Sequence, residues 1–245
     1  MIQTMILPDT ALVEATDLSR YYSGGPERSV SALDKVSFRI KQGEFVAITG
    51  PSGCGKSTLL NLLAALDTPD SGQLRVGKTD LTSASEAERT RYRRSEVGIV
   101  FQFFNLLPGL SLEENVALPL RLQGIGYMER REKARLLLDF VGLDGRRGHF
   151  PHQLSGGEMQ RAAVARALIH QPGLIIADEP TGNLDSAATE RVLELFRKVH
   201  QDQKSTLVLV THSESVAATA DRRLVMMDGK MREEKAVDGV VYPAC

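Results

Sequence analysis

The spacing of apolar residues changes several times along the chain, and each change marks a predicted element of secondary structure. β-rich runs lie at 11–16, 29–40, 44–49 and 73–77, with turn residues at 24–26, 42–43 and 69–72. Helical spacing occurs at 57–66, 85–94, 105–141 (clearest at 112–122 and 128–141), 157–168, 187–200 and 213–219. Short apolar runs predict further strands at 97–101, 174–177, 206–210 and 223–227, and Asp228-Gly229 predicts a hairpin turn.

Strands that alternate with helices at both ends of the chain favour an α/β fold with a mostly parallel sheet. The β-rich first stretch predicts an N-terminal antiparallel β-subdomain, and the helical stretch at about 103–166 predicts an inserted α-helical subdomain. We therefore expect a single domain over 1–245, with a short tail at 236–245 to which the pattern assigns no element.

Composition narrows the possible partners. The chain is 42% hydrophobic and 25% charged with a net charge of -1, so no basic excess points to nucleic acid. Two cysteines form no disulfide framework and suit a reducing cytoplasm. The sequence has no apolar run near the ~18–20 residues that span a bilayer, and residues 1–10 do not resemble a secretory signal. We expect a cytoplasmic protein, which leaves a membrane partner possible.

One nine-residue motif predicts nucleotide binding. The segment between the run at 44–49 and the helix at 57–66 fits G-x-x-x-x-G-K-[ST], whose backbone N–H groups surround nucleotide phosphates. Lys56 is expected to reach the β- and γ-phosphates, and the Ser57 hydroxyl to bind Mg²⁺. The loop consists of Gly50, Pro51, Ser52, Gly53, Cys54, Gly55, Lys56, Ser57 and Thr58.

Two acidic residues follow the buried strand predicted at 174–177. Ligands bind at the carboxyl ends of parallel strands in open α/β sheets, where Asp178 and Glu179 are expected to lie. Phosphoryl transfer needs a metal ligand and a group that positions the attacking water. We expect Asp178 to hold Mg²⁺ through water and Glu179 to polarise or deprotonate the attacking water.

A second glycine-containing segment opens the helix at 157–168. Ser155 as N-cap with Glu158 three residues later predicts a capping box. Capping does not explain the adjacent Gly156 and Gly157, since each glycine costs a helix roughly 1 kcal/mol relative to alanine. Bare N–H groups at a helix N-terminus bind anions, so we expect a second anion site beside the cap.

Six segments, in this order and spacing, resemble an ABC transporter ATPase over nearly the whole chain. They are the loop at 50–58, Gln102, LSGGEMQR at 154–161, LIIADE at 174–179, NLD at 183–185 and His212. The resemblance implies the ABC ATPase fold with its P-loop NTPase core, and hydrolysis of ATP to ADP and phosphate with ATP and Mg²⁺ bound. It also implies a homodimer, with two ATP molecules held head to tail between one copy's phosphate loop and Ser155-Gly156-Gly157-Glu158 of the other.

The resemblance further assigns a metal set and an interface residue. Gln102 would contact Mg²⁺ and relay the nucleotide state to the helical subdomain, so that the metal set becomes Ser57, Gln102 and Asp178. Asp185 would cross the dimer interface and help to complete the nucleotide site.

The catalytic set and the adenine contact also follow from the resemblance. His212 would contact the γ-phosphate and help to hold the attacking water, beside Glu179 and Lys56. Tyr22 aligns best with the aromatic residue that stacks on adenine, and Tyr21 is the alternative.

Four segments are similar to the lipoprotein-release and macrolide-export group of the family: 101–108, 114–116, 118–120 and 178–185. This similarity implies an ATPase that powers a separately encoded integral membrane permease from the inner face of the cell membrane. The ATPase of an importer or of another permease stays open as an alternative, because only the membrane subunit distinguishes these. A soluble ABC protein of DNA repair or translation is the second alternative, although the sequence shows no zinc insertion or second cassette.

Overall fold

The computed structural model describes residues 11–23, 29–203 and 205–234, so the predicted turn at 24–26 and the tail at 236–245 lie outside the described residues. The strands are β1 (Ala11–Ser23), β2 (Ser29–Lys41), β3 (Phe45–Thr49), β4 (Ser71–Val76), β5 (Thr79–Asp80), β6 (Val97–Val100), β7 (Leu174–Asp178), β8 (Thr206–Val210), β9 (Arg222–Met227) and β10 (Lys230–Glu234). The helices are α1 (Lys56–Leu63), α2 (Glu86–Ser95), α3 (Leu112–Leu122), α4 (Tyr127–Phe140), α5 (Gly156–Leu168), α6 (Ser186–Gln203) and α7 (Glu214–Ala217), with 3₁₀ turns at Asp144–Arg146 and Pro151–Gln153.

The larger sheet has six strands in the order β10-β9-β3-β8-β7-β6, and every pair except β10–β9 is parallel. Strands β3 and β8 are buried at every position and consist mostly of apolar residues, as expected where both faces of a parallel sheet are covered. The carboxyl ends of β3, β6, β7 and β8 therefore meet at one edge, which confirms the expected α/β architecture.

A second sheet of four antiparallel strands, in the order β2-β1-β4-β5, confirms the predicted β-rich N-terminal part. The turn predicted at 69–72 is wrong in its second half, because Ser71 and Gly72 already belong to β4. Gly72 has a φ of 87°, and a Cβ there would lie 2.3 Å from the carbonyl oxygen of Asp17. The glycine is therefore required by an irregular pairing between β1 and β4, not by a turn.

The predicted helices at 112–122 and 128–141 correspond to α3 and α4, which pack with α5 and α6 against one face of the six-stranded sheet. The helical spacing predicted from 105 is wrong before Leu112. Residues 105–110 form a loop whose backbone is tied to buried Asn115, which bonds the N–H and C=O of Leu107 and the carbonyl of Leu110. Ser111 then begins α3 with a capping box that includes Glu114. Among the described residues, no helix combines the length and apolar character that a membrane crossing needs.

Candidate active site

The phosphate loop at 50–58 joins β3 to α1 at the carboxyl edge of the six-stranded sheet. Its glycines have positive φ angles of 148° at Gly50, 79° at Gly53 and 106° at Gly55. A Cβ at Gly50 would lie 2.1 Å from the carbonyl oxygen of Met226, and one at Gly55 would lie 2.2 Å from that of Ala32. No described side chain caps α1, so its first N–H groups are available to phosphate oxygens.

Lys56 is buried inside this loop, with 8% of the residue exposed. Its ammonium group donates to the carbonyl oxygens of Gly50 and Pro51 at 2.8 and 2.9 Å. The nearby Cys54 sulfur is 3.9 Å from Nζ, and Cys54 is also buried. The partners of Lys56 are therefore carbonyls of its own loop, and its contact with phosphate oxygens stays a prediction.

Asp178 ends β7 and is hydrogen-bonded to the Ser57 hydroxyl of the phosphate loop. Burial raises the pKa of Asp178 above its ordinary value, and the negative charge of Glu179 raises it further. The hydrogen bond from Ser57 and the positive charge of Lys56 lower the pKa, but they do not cancel the rise. The carboxylate charge is therefore only partly compensated by the chain itself, which is the situation a bound cation would relieve.

The described residues contain no group of three or more His, Cys, Asp or Glu that could hold a metal ion. Mg²⁺ at this edge would depend on the Ser57 hydroxyl, the Asp178 carboxylate and the Gln102 amide, with phosphate oxygens and water as further ligands. Hard oxygen donors, few of them from the protein, are what Mg²⁺ takes in nucleotide sites. The residues present, above all the under-compensated Asp178, fit that ion.

Glu179 lies directly after Asp178, and its backbone has a φ of 44°. Non-glycine residues seldom adopt this left-handed conformation, which is concentrated at functional sites. The Glu179 N–H donates to the carbonyl of Val210 at 3.0 Å. Its carboxylate Oε2 is 3.0 Å from Nδ1 of His212 and 3.4 Å from the His212 backbone N–H. The Glu179 side chain is 15% exposed and that of His212 68%, so Glu179 is largely buried while His212 is open to solvent.

Gln102 lies at the rim of this group, in the loop after β6. A Cβ at Gly182 would lie 3.2 Å from Nε2 of Gln102 and 3.5 Å from the carbonyl oxygen of Glu179. Asn183 Nδ2 donates to the Gln102 carbonyl at 3.4 Å. Any side chain at position 182 would therefore crowd the Gln102 amide, and the glycine leaves space for it.

An open cleft of about 380 Å³ lies at the N-terminus of α5. Its lining residues are Ser155, Gly156, Gly157, Glu158, Arg161, Asn183, Leu184, Asp185, Ala188 and Arg191. The predicted capping box is confirmed, since Ser155 Oγ accepts from the Glu158 N–H at 3.3 Å and Glu158 Oε2 accepts from the Ser155 N–H at 2.9 Å. Gly157 packs so closely on α6 that a Cβ there would be 2.8 Å from that of Ala188.

The two acidic residues of this cleft already have partners within the chain. Asp185 Oδ1 accepts from the Ala188 N–H at 2.7 Å and so caps the start of α6. Glu158 Oε1 pairs with Arg146 at 3.1 Å. The hydrogen bond from the Ser155 backbone, which outweighs the effect of burial, lowers the pKa of Glu158. Both side chains therefore hold the cleft in shape, and a direct contact with nucleotide stays a prediction.

The predicted site residues thus form two groups. Residues 50–58, Gln102, Asp178, Glu179 and His212 meet at the carboxyl edge of the sheet, while residues 155–158 and Asp185 lie around the cleft at α5. In the part of the chain that the structure describes, no hydrogen bond or ion pair joins residues 155–158 to the phosphate loop or to Glu179.

Tyr22 lies apart from both groups, near the end of β1. Its hydroxyl donates to Asp67 at 2.8 Å, and the Arg20 guanidinium lies 4.9 Å from its ring centroid. Tyr22 and Tyr21 are exposed to similar degrees, 38% and 43%. Adenine stacking on Tyr22, or on Tyr21, stays a prediction.

Sequence reasoning assigned no role to several polar residues that line or support the site. Arg161 and Arg191 line the α5 cleft, and burial, then the charge of Arg191, lowers the pKa of Arg161. Gln160 and Arg166 donate from α5 to the loop after β6. The available signal was a polar residue, Gln160, on the buried face of a helix whose other buried residues are mostly alanine.

Comparison with known proteins identifies this arrangement. A family model described as ABC transporter matches residues 33–182. The chain belongs to the ABC transporter family. Family membership confirms the predicted resemblance, and with it ATP binding and ATP hydrolysis in a transporter.

Curated relatives of this ABC transporter protein cover it almost completely. It is 45% identical over 228 residues to the lipoprotein-releasing system ATP-binding protein LolD of Bordetella avium. The aligned residues make up 92% of this chain and 99% of that protein. It is 46% identical over 223 residues to the macrolide export ATP-binding/permease protein MacB of Rhodospirillum rubrum, 91% of this chain. The chain spans only 34% of that MacB protein.

A solved structure with the same fold is the dimeric post-hydrolysis state of the ATP-binding cassette MJ0796 bound to ADP and Pi. The two chains superpose with a TM-score of 0.85 and are 39% identical. The match covers 93% of this chain and 100% of the other. The match confirms the predicted ABC ATPase fold.

Proposed function

We propose that this ABC ATPase works as a head-to-tail homodimer that powers a separately encoded membrane permease of the lipoprotein-release or macrolide-export type. The observation that carries the proposal is the separation of the two residue groups within one chain. The phosphate loop and Glu179 lack the cleft residues 155–158 as neighbours, and that cleft is open. A second copy, turned head to tail, would bring the two groups together around one nucleotide.

Within each composite site, the roles follow from the contacts of the residues. Lys56 would release the carbonyls of Gly50 and Pro51 and bind phosphate oxygens. Glu179 would take the proton of the attacking water, while His212, 3.0 Å away, would hold that water against the γ-phosphate. Mg²⁺, held by Ser57, Asp178 and Gln102, would neutralise negative charge on the β- and γ-phosphates.

Closure of the dimer would depend on the γ-phosphate. A shift from about 1% to about 99% closed requires roughly 5.5 kcal/mol of differential binding. Two cleft surfaces, each with two basic residues (Arg161 and Arg191) and the bare backbone of Gly156 and Gly157, would supply that free energy. Hydrolysis and phosphate release would remove it and reopen the dimer.

The membrane partner is supported by the relatives' names and by a largely apolar groove of about 410 Å³. The groove lies between α2, β6, α3 and α5, and Phe101, Leu118, Pro119 and Leu122 supply much of its apolar wall. Leu122 is 57% exposed, and Phe103, in the same loop as Phe101, is 71% exposed. We propose that this groove, at the edge of the helical subdomain at about 103–166, receives a cytoplasmic segment of the permease. That contact would hold the ATPase at the inner face of the cell membrane.

Co-purification tests this function. The tagged Glu179→Gln variant is expressed in its native host, and proteins that co-purify from detergent-solubilised membranes with ATP and Mg²⁺ are identified. We expect a partner with few membrane spans and a large extracytoplasmic domain. A permease with many spans would instead indicate an importer, and a soluble partner alone would contradict a role in transport.

A matched pair of variants tests the groove. We expect Leu122→Glu to lose the membrane partner while its ATPase activity persists. Leu136→Glu changes an even more exposed leucine on α4, outside the groove lining, and should keep the partner. Equal loss with both variants would contradict the groove as the docking surface.

A further inference from the structure

The loop at 101–105, which contains Gln102, is bent in a way that its own residues do not favour. Phe104 and Asn105 are consecutive residues with φ angles of 60° and 49°. Asparagine tolerates this left-handed conformation, but a phenylalanine there is uncommon and unfavourable. Something outside the loop must therefore stabilise the bend.

Helix α5 supplies that stabilisation through two side chains. Arg166 donates from one guanidinium nitrogen to the Phe104 carbonyl at 2.8 Å and from the other to the Asn105 carbonyl at 2.5 Å. Gln160, which is fully buried, donates to the Phe101 carbonyl at 3.4 Å. The carbonyls on both sides of Gln102 and Phe103 are thus held by one helix.

Among the described residues, Arg166 donates its hydrogen bonds to this loop alone, although it also lines the groove proposed as the docking surface. Burial lowers the pKa of its guanidinium, and no carboxylate among the described residues forms an ion pair with it. Burying an arginine without a counter-ion is costly unless its donors are used. Here two donors are used, both on the two strained peptide units.

The same helix also carries the cleft residues. Helix α5 begins at Gly156, beside the cleft, and a Cβ at Gly156 would lie 3.7 Å from Cζ of Phe104. The loop therefore contacts α5 near its first residue through the Phe104 ring and near its end through Arg166. A displacement of α5 must move the loop, and with it Gln102.

We propose that Arg166 is a positioning residue for Gln102, holding the loop at 101–105 in its left-handed bend so that Gln102 follows the position of α5. The hydrogen bonds of Arg166 go to Phe104 and Asn105, neither of which is assigned to nucleotide or metal, so Arg166 would act only through the loop. The inference rests on the proposed role of Gln102 in the ATPase site, and it extends that role to a residue which no motif of the sequence singled out.

A double-mutant cycle tests the proposal. Mg²⁺-ATPase activity is measured for wild type, Arg166→Gln, Gln102→Ala and the double variant. We expect Arg166→Gln to lower kcat by about tenfold, with KM for ATP changed less than about twofold, because only the placement of Gln102 is lost. In the Gln102→Ala background we expect a further loss below about twofold, because the two residues act as a unit.

Hydrogen exchange provides a readout that does not depend on activity. In nucleotide-free protein, Arg166→Gln should speed amide exchange in peptides covering 101–105 by about tenfold, and leave peptides of the phosphate loop unchanged. Arg130→Gln is the matched control, since it removes another guanidinium–carbonyl hydrogen bond, to Ile125, remote from Gln102. The control should change neither kcat nor exchange at 101–105.

Three results would overturn the proposal. A full tenfold loss on adding Arg166→Gln to Gln102→Ala would show that Arg166 acts independently of Gln102. Unchanged amide hydrogen exchange at 101–105 in Arg166→Gln would show that Arg166 does not hold the loop. This result does not depend on the ATPase activity of the wild type. Wild-type activity in the Gln102→Ala variant would overturn both the role of Gln102 and this inference. The proposed ATPase function would still stand, because the unmutated protein would still hydrolyse ATP.

Discussion

Helices α1 and α5 each begin with a glycine-containing segment, but the N–H groups of their first turns are satisfied differently. At α1, Gly55 occupies the N-cap position and no described side chain caps the helix, while Lys56 lies buried beneath the loop. At α5, Ser155 and Glu158 complete a capping box within the chain. The first start is left open for a ligand, whereas the second is satisfied by its own residues.

The difference indicates how the two segments divide the work. The phosphate loop has the charge, the free N–H groups and the adjacent Asp178 and Glu179 that a triphosphate requires. The α5 segment is rigid and self-capped, with two bare glycines beside an open cleft. We infer that a single chain can bind ATP through the phosphate loop alone, and that the α5 segment acts only when a second copy presents a nucleotide to it.

The largest expected effect is on the ATP affinity of the isolated chain, which should depend on the phosphate loop and not on the α5 segment. Lys56→Ala should weaken ATP binding to the isolated chain by about a hundredfold, equivalent to ~2.7 kcal/mol, because a charged phosphate contact is lost. Ser155→Ala should leave that affinity within about twofold, although turnover falls at least tenfold and the lost cap lowers stability by about 1 kcal/mol. Titration with a fluorescent ATP analogue and steady-state turnover measure both effects.

The comparison would fail if Ser155→Ala weakened binding in the isolated chain as much as Lys56→Ala. That outcome would place the cleft on the nucleotide of its own chain. Thermal melting of both variants controls for loss of folding.

A second test separates packing from ligand binding at Gly157. Gly157→Ala places a methyl group 2.8 Å from Cβ of Ala188, so we expect a loss of about 1–3 kcal/mol in the free energy of unfolding. Adding Ala188→Gly should restore most of that loss, apart from about 1 kcal/mol for a glycine in α6. Turnover should stay low in the double variant because the methyl group still occupies the cleft. Recovered turnover would mean that Gly157 serves packing alone.

The smallest effect concerns the electrostatics of the phosphate-loop side. The pKa of Asp178 is raised in the folded state, so its ionised form reduces stability above that pKa. Asp178→Asn should therefore raise the Tm of nucleotide-free protein in chelator at pH 7, by roughly 2–4 °C for an effect of about 1 kcal/mol. The gain should shrink as pH falls through the raised pKa and vanish below the ordinary value of 3.8.

Asp80→Asn is the matched control for that experiment. Burial alone would raise the pKa of Asp80, but hydrogen bonds from Thr82 and Ser83 lower it. Its ionised form therefore stabilises the fold above the ordinary pKa, and the substitution should lower Tm at pH 7. A fall in Tm with Asp178→Asn as well would contradict the idea that its charge is under-compensated without a cation.

The sequence predicted the strands and helices well wherever burial and local period agree. The segments 112–122 and 206–210 have the same bounds in the structure as α3 and β8. The helix predicted from 105 is wrong before Leu112. Leu106, Leu107 and Leu110 have helical spacing, but they lie in a loop whose backbone is hydrogen-bonded to Asn115. Pro108-Gly109 was a signal for that loop, but local spacing alone cannot report a bond to a later helix.

The site was predictable where a motif fixes backbone geometry, as in the phosphate loop and the α5 capping box. It was not predictable where a partner comes from a distant part of the chain. Arg166 lies 62 residues after Phe104, and Asn183 lies 81 residues after Gln102, so neither contact leaves a local pattern. The pairing of Glu179 with His212 was predicted through the family resemblance and not from local spacing, because their proximity depends on β7 and β8 being neighbours.

The most direct test of the two-copy site is the mass of the Glu179→Gln variant in solution, measured by light scattering with ATP and Mg²⁺. We expect twice the mass of the chain with ATP, the mass of one chain with ADP, and no ATP-dependent dimer when Ser155→Arg is added. A Glu179→Gln protein that binds ATP yet stays monomeric at saturation, or a dimer that persists with Ser155→Arg, would contradict the composite site.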